Sequence, residues 1–364
     1  MGIEKLVLNI VLGFFSLFLR FTKQKPHQVT FISLTSDKLN GDFKEIYAEL
    51  IQYDNIEIKL NLIKFKKNLW GDFLYFLNCI KQLFLINTSK VVIINDNNYI
   101  VSHFKKKDVK VIQIWHACGA VKKFGNEISR QYKIANYDYV LATSKAWQYI
   151  YARSFGVHPD DVLPLGLPRT DGLFNQEHVN QMRTEMLEKY PHLKDKYIIL
   201  YAPTFRGNII KGLKYEEIDL VNVISSLPSD YVLLYKMHPL LGNLDMGHHD
   251  RLLNMNQESL NALLCVSDCL ISDYSSIVFD YSILNKKMVF YLSDLEDYQS
   301  TIGLNVLPED LPGAVCSKED TLIDELMKQD YDQVRVQNFK DKYFYYQDGK
   351  NAKRIAAFIH ELIA

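Results

Sequence analysis

Short apolar runs alternate along this chain with longer stretches in which apolar residues return every third or fourth position. The runs at 29–34, 56–62, 91–94, 109–115 and 139–142 predict strands. The stretches at 42–53 and 69–85, and one starting at Ser144, predict helices. Turn formers then concentrate in Pro-Leu-Gly-Leu-Pro-Arg-Thr-Asp-Gly at 164–172. A helix at 176–190 leads into a second series, with strands at 197–201, 231–235, 269–271 and 288–291 and helices between them, such as 259–266. Twice over, this is the strand–helix rhythm of a doubly wound α/β sheet. The expected organisation is an N-terminal domain at 26–175, a C-terminal domain at 176–345 and a cleft between them. The segment 346–364, with its helix at 351–363, is expected to cross back to the first domain. No repeat of solenoid period and no low-complexity tract interrupts the pattern.

Residues 1–25 stand apart. The run 6–21 is almost wholly apolar, broken by Asn9 and Ser16, with Lys5 before it, Arg20 near its end and Lys23 and Lys25 beyond. It is shorter than the roughly 20 residues a spanning helix needs, and no small-residue cleavage site follows it. The expectation is a helix lying in a membrane interface or packed on the fold, its cations snorkelling at one end. A short spanning anchor is the alternative. A second stretch, 65–77, mixes cations with aromatics, Trp70 among them. It reads either as a further lipid contact or as an ordinary amphipathic core helix.

Composition narrows the class. A chain of 364 residues, 48% hydrophobic and 23% charged, holds a sizeable core and about two domains. Forty-two Lys and Arg against 43 Asp and Glu leave a net charge of −1, without the basic field that a nucleic-acid partner requires. Cations nevertheless crowd the first half, at Lys64, Lys66, Lys67, Lys105, Lys106, Lys107, Lys122 and Lys123. The five cysteines have irregular spacing, suited to reduced cytosolic thiols, and Cys265 and Cys269 do not match a zinc site.

Candidate chemistry gathers just past the predicted strands, where open α/β sheets bind ligands. Thr204 and Arg206 follow Tyr201, Lys236 and His238 follow Tyr235, and Asp273, Ser275 and Ser276 follow Ile271. In the first domain His116, Lys122 and Lys123 follow Trp115, and Asp37, Asn40, Gly41 and Asp42 follow the first strand. Ser275 and Ser276 sit where helix N-caps belong, beside free N–H groups that favour phosphate; the alternative is that they only cap. An arginine fork, a lysine, an imidazole and paired hydroxyls together suit a diphosphate. Neither a P-loop nor a Gly-x-Gly-x-x-Gly turn is present, which argues against a P-loop NTPase and a nicotinamide enzyme. The Asp-x-Asp at 330–332 follows no strand and His248-His249-Asp250 reads as a solvated loop, so no metal and no cofactor are expected.

Five segments in order carry a family resemblance. They are Ile-Trp-His-Ala-Cys-Gly-Ala-Val-Lys-Lys-Phe-Gly at 114–125, Gly-Leu-Pro-Arg-Thr-Asp at 166–171, Tyr-Ala-Pro-Thr-Phe-Arg at 201–206, Lys-Met-His-Pro at 236–239 and Ser-Asp-Tyr-Ser-Ser-Ile-Val-Phe-Asp at 272–280. From about residue 30 to 350 the chain resembles the CDP-glycerol glycerophosphotransferases of wall teichoic acid synthesis in Gram-positive bacteria. The resemblance implies a GT-B fold, two Rossmann-like domains with an interdomain cleft. It also implies transfer of glycerol phosphate from CDP-glycerol to an undecaprenyl-diphosphate-linked N-acetylmannosaminyl-N-acetylglucosamine at the cytoplasmic face of the membrane, with release of CMP. Trp-His-Ala-Cys at 115–118, where many polymerising members have Trp-His-Gly-Thr, is more similar to the primase branch. The lack of the long N-terminal region of some polymerases points the same way.

The expected mechanism follows from that resemblance and the strand-tip residues. His116 is the general base on the acceptor hydroxyl, its imidazole titrating near neutral pH. Arg206, His238, Ser275 and Ser276 hold the diphosphate, with Thr204 and Asp273 beside them, and Lys236 and Asp280 orient these groups. Lys122 and Lys123 meet the lipid-linked diphosphate or headgroups, or form a solvated pair; Asp37 and Trp70 belong to the same acceptor and membrane side. A ribitol phosphate or poly(glycerol phosphate) polymerase, a sugar-nucleotide glycosyltransferase of the same fold and a non-catalytic membrane scaffold stand as alternatives.

Overall fold

The structure is a computed structural model, and it describes residues 3–65, 68–208, 212–215, 217–238, 241 and 244–364. Lys66, Lys67 and Pro239, named above, lie outside the described residues, as does the side chain of Lys5. The chain divides into two compact units.

The first unit opens with α1 (Ile3–Ser16) and a 3₁₀ turn (Leu17–Phe21). It continues through β1 (Gln28–Ser33), α2 (Gly41–Leu50), β2 (Glu57–Leu62), α3 (Leu69–Thr88), β3 (Val91–Ile94), α4 (Tyr99–Phe104), β4 (Lys110–Ile114), β5 (Tyr139–Leu141), α5 (Gln148–Phe155) and β6 (Val162–Leu163). The six strands are parallel in the order β2-β1-β3-β4-β5-β6. The direction of winding reverses between β1 and β3, which makes their C-terminal ends the switch point where ligands bind in such sheets. Asparagines set the helix starts: Asn68 Oδ1 accepts from Gly71 N at 2.7 Å for α3, and Asn98 Oδ1 from Val101 N at 3.0 Å for α4. The helix expected from Ser144 begins instead as a 3₁₀ turn (Lys145–Trp147) capped by that serine, before α5.

The second unit runs through α6 (Gln176–Lys189), β7 (Tyr197–Tyr201), β8 (Arg206–Asn208), β9 (Gly212–Lys214), α7 (Leu220–Ser226), β10 (Tyr231–Tyr235), β11 (Leu252–Asn254) and α8 (Leu260–Val266). It ends with β12 (Cys269–Ser272), α9 (Ile277–Ser282), β13 (Lys287–Tyr291), α10 (Leu295–Thr301), β14 (Ala314–Cys316), α11 (Glu319–Met327) and α12 (Gln333–Tyr343). Its main sheet is again parallel, in the order β11-β10-β7-β12-β13-β14, while β8 and β9 form a small antiparallel hairpin. Counted along the chain, that order is 3-2-1-4-5-6, the arrangement of nucleotide-binding Rossmann sheets, with the switch point between β7 and β12. Ile199, Leu233, Ile271 and Val289 from four adjacent strands share one core with Leu220, Val223 and Ile224 of α7 and Leu322 and Leu326 of α11.

Two segments pack away from their place in sequence. Residues 117–123, inside the stretch assigned to the first domain by pattern, belong to the second unit. Asn305 N donates to Val121 O at 2.7 Å and Lys123 N to Gly303 O at 3.1 Å. The last helix, α13 (Asn351–Glu361), belongs to the first unit and packs on α2. The Asp171 carboxylate accepts from Asn351 N and Ala352 N, both at 3.0 Å, at the start of that helix. Gly166 makes room for it: its φ is +86°, and a Cβ there would lie 2.1 Å from Asn351 Oδ1.

Candidate functional site

In the second unit the switch point lies just beyond Tyr201 of β7 and Ser272 of β12, so residues 202–206 and 273–276 form its rim. The two rims are stitched together, because Thr204 N donates to Asp273 Oδ1 at 2.8 Å. Lys122 joins them from the annexed segment. Its Nζ lies 3.3 Å from Thr204 Oγ1 and 4.9 Å above the Phe205 ring. The other neighbour of Phe205 is His238, edge to face at 4.8 Å. Burial pushes the Lys122 ammonium below its usual value, with Asp273 opposing and Arg206 reinforcing the shift. Burial, and then the Lys122 charge, push the His238 imidazole down as well. Both effects favour the neutral imidazole, a form with one donor and one acceptor nitrogen. Ser275 and Ser276 are half-buried at the same rim.

Several residues expected to grip a donor are hydrogen-bonded within the rim. The Arg206 fork is already occupied: Nε and Nη2 donate to Asp294 at 2.7 and 3.2 Å, and Nη1 donates to Asp273 Oδ2 at 2.8 Å. Its guanidinium also lies 5.0 and 4.9 Å from the rings of Tyr274 and Tyr298, which stack on each other at 3.7 Å. Burial works against this cation, but Asp294 and Asp273 hold it above its ordinary value. In this structure the fork is engaged with the two carboxylates of the rim. One of them, Asp273, is 3% exposed. Burial drives its carboxyl upward while Arg206 and the Thr204 amide pull back. Lys236 Nζ is spent on the carbonyls of Asn256 and Glu258 at 2.9 and 2.8 Å, tying the tip of β10 to the segment after β11. Asp280 Oδ1 accepts from Cys118 Sγ at 3.1 Å and so anchors the annexed segment. Ser276 stands at the N-cap position of α9 but makes no side-chain cap bond, and Ser275 Oγ accepts from Ile277 N only at 3.4 Å. Neither hydroxyl is consumed by strong capping.

In the first unit His116 follows β4 and is exposed, its ring 3.8 Å from that of Trp115, which stacks on Phe124 at 5.2 Å. The backbone at His116 is braced by Arg169, whose Nη1 donates to the His116 carbonyl. Arg169 in turn donates from its backbone N and its Nε to Asp42, at 2.7 and 2.9 Å, and forms an ion pair with it. Asp37 and Lys123 are exposed. Lys122, expected either at the lipid-linked diphosphate or headgroups or in a solvated pair, lies beside Thr204, carried there with the annexed segment 117–123.

Sequence reasoning gave no role to Arg169, Asp294, Tyr274 or Tyr298. The available signal for Arg169 was its place in the Gly-Leu-Pro-Arg-Thr-Asp run; Asp294 lies 88 positions from Arg206, and no local pattern links them. Among the described residues no group of three or more His, Cys, Asp or Glu could hold a metal ion.

Trp70 is 67% exposed on α3, beside exposed Leu69, Phe73, Leu74 and Leu77. The adjacent α1 and its 3₁₀ turn expose Ile10, Phe14, Leu17 and Phe21. By length and composition α3 could cross a membrane, yet a third of its most apolar window is buried. Asn78 and Gln82 on its inner face are hydrogen-bonded to Asn61, and Gln82 also to Asn98, at 2.8–3.0 Å.

Residues 14–361 match the family described as CDP-Glycerol:Poly(glycerophosphate) glycerophosphotransferase. The chain is 34% identical over 360 residues to the teichoic acid ribitol-phosphate primase of Bacillus spizizenii, covering 92% of this chain and 91% of that protein. It is 34% identical over 307 residues to the teichoic acid glycerol-phosphate primase of Bacillus subtilis, covering 79% and 78%. Among solved structures it is similar to the wall teichoic acid polymerase TagF in a crystal soaked with CDPG. The TM-score is 0.75 and the identity 25%, over 99% of this chain and 97% of that one.

Proposed function

Since the chain belongs to the CDP-Glycerol:Poly(glycerophosphate) glycerophosphotransferase family, we propose that it transfers glycerol phosphate from CDP-glycerol to a lipid-linked N-acetylmannosaminyl-N-acetylglucosamine, releasing CMP. An acceptor hydroxyl oxygen attacks the β-phosphorus. The new O–P bond forms as the bond from that phosphorus to the bridging oxygen breaks, and CMP leaves with the bridging oxygen. The hydroxyl proton passes to His116. Such a reaction asks for positioning and charge stabilisation more than covalent help.

In this account the donor diphosphate rests on the rim of the second unit. Lys122 supplies the positive charge, neutral His238 and the hydroxyls of Thr204, Ser275 and Ser276 supply hydrogen bonds, and Arg206 with Asp273 and Asp294 holds the rim rigid. The observation that carries the proposal is this gathering of Lys122, Thr204, Phe205 and His238 at the switch point of a 3-2-1-4-5-6 sheet.

The membrane side of the account rests on the exposed apolar faces of α1 and α3, with Trp70 for the interface and exposed Arg20, Lys23 and Lys64 for anionic headgroups. The protein sits peripherally on the cytoplasmic face of the membrane, with α3 lying on the surface because its polar inner face is tied into the first unit.

Ribitol phosphate is the second reading, favoured by the fuller coverage of the ribitol-phosphate primase, 92% of this chain against 79%. Mass analysis of the product made from lipid-linked disaccharide with CDP-glycerol, and separately with CDP-ribitol, tests the proposal. One added glycerol phosphate is the expected result. Addition only from CDP-ribitol would move the assignment to the second reading, a ladder of masses would make the protein a polymerase, and no CMP release from either donor would overturn the proposal.

A further inference from the structure

The first unit has its own switch point, outside the C-terminal ends of β1 and β3, and it carries an unusual density of unused polarity. Asn95 Oδ1 and Asn97 Oδ1, directly after β3, are buried without a hydrogen-bond partner. Both polar atoms of the Gln113 side chain are in the same state; this residue is 0% exposed and pairs in register with Ile94, the last residue of β3. Arg130 Nε is a fifth such atom. Its guanidinium lies 6.0 Å from the Tyr132 ring, and Tyr132 OH donates to Asn97 O at 3.1 Å. Asp96 is half-buried among them. Its Oδ2 accepts from Leu34 N at 2.8 Å across the β1–β3 gap, and no described residue donates to its Oδ1.

Native folds leave few buried polar atoms unpaired, because each keeps the desolvation penalty without a hydrogen bond in return. Five around one strand tip, at the position where parallel sheets take ligands, mark a place built for a polar partner. The partner's chemistry follows from the set. Planar amides and a carboxylate accept and donate in pairs, as neighbouring hydroxyls and acetamido groups require, and a half-buried tyrosine offers a ring face. Lone phosphate is disfavoured by Asp96.

We propose that the polar tip of β3, with Asp96, Asn97, Arg130 and Tyr132, is the saccharide subsite that receives the acceptor sugar. The inference rests on the transfer reaction proposed above and adds the residues that recognise the acceptor. His116 follows β4, the next strand of the same sheet, so the subsite and the base share one unit.

Steady-state kinetics on the full chain, with a short-chain lipid diphosphate carrying the disaccharide, tests it. Wild-type transfer is established first; failure there sinks the reaction and not the subsite. Given wild-type transfer, Asp96→Asn and Arg130→Gln are expected to raise the acceptor KM about 10-fold or more, the scale of a lost charged hydrogen bond, while the KM for CDP-glycerol moves less than about 2-fold. Asn97→Ala serves as a further variant with a milder fold risk. Folded variants, verified by circular dichroism and thermal melting, that keep the wild-type acceptor KM would overturn the proposal. So would an Asn97→Ala protein that is more stable and otherwise unaltered, since its orphaned oxygen would then be a packing defect without a ligand.

Discussion

Lys122 and His238 compete for protons across the Phe205 ring, since burial and the ammonium charge both depress the imidazole. A histidine whose folded value lies below its unfolded one binds more protons when unfolded. The stability it contributes is complete above the unfolded value, near 6.5, and is lost as the pH falls through the window below it. Lys122→Met should therefore shift the His238 titration upward, read by NMR, and shrink the acid loss of stability. An unmoved His238 resonance in the variant would contradict the layering. Arg206 makes the opposite kind of residue-scale claim. Replacing it with Ala strands Asp273 and Asp294, 5% and 17% exposed in their side chains, and should cost about 3–5 kcal/mol in urea unfolding. A loss below about 1 kcal/mol would show the fork to be a surface pair. Position after a strand singled out both Lys122 and Arg206 in the sequence, but not the residues they touch. The lysine lies beside Thr204 at the rim of the second sheet, and the arginine is held by two carboxylates. These partners, Thr204 for Lys122 and Asp294 for Arg206, lie 82 and 88 positions away, and local pattern does not register such pairs.

At the scale of elements, α3 is the most informative, because its two faces have different solvents. Asn78 and Gln82 point into a buried amide network, whereas Leu69, Trp70, Phe73 and Leu74 are exposed. Trp70→Ser together with Phe73→Ser should leave the unfolding free energy within the range of ordinary surface changes, about 0.5 kcal/mol, but sharply weaken flotation with vesicles containing anionic lipid. Undiminished flotation would remove this face from the membrane account. The helix pattern at 69–85 falls within α3, which runs on to Thr88. Long or fully buried elements were legible in this way: β3 and β7 coincide with their apolar runs. Besides α11 and α12, which follow the last strand read from the pattern, the elements that escaped are short. Strands β11 and β14 have three residues each at the edges of the second sheet, where half the backbone is unpaired and little apolar pattern is needed. The six-residue α4 escaped because its buried face is partly polar and partly aromatic, with Tyr99 and Ser102 beside Ile100 and Val101.

Across the whole molecule, the alternation of strands and helices revealed two Rossmann-like domains, but the order of the strands and hence the switch points came only from the structure. Sheet order depends on which crossover goes left and which goes right, and hydrophobic period does not encode that choice. The same is true of residues 117–123, which leave the first sheet after β4 and pack with the second unit, taking Lys122 and Cys118 with them. The proposed function divides the labour: the second unit would grip the nucleotide and the first unit would supply the base at His116. Its sharpest test is His116→Ala assayed side by side for CDP-glycerol binding by calorimetry and for CMP release. Donor affinity equal to wild type with turnover reduced about 10²–10⁴-fold is the predicted result. Turnover close to wild type, or loss of donor binding in the folded variant, would contradict it.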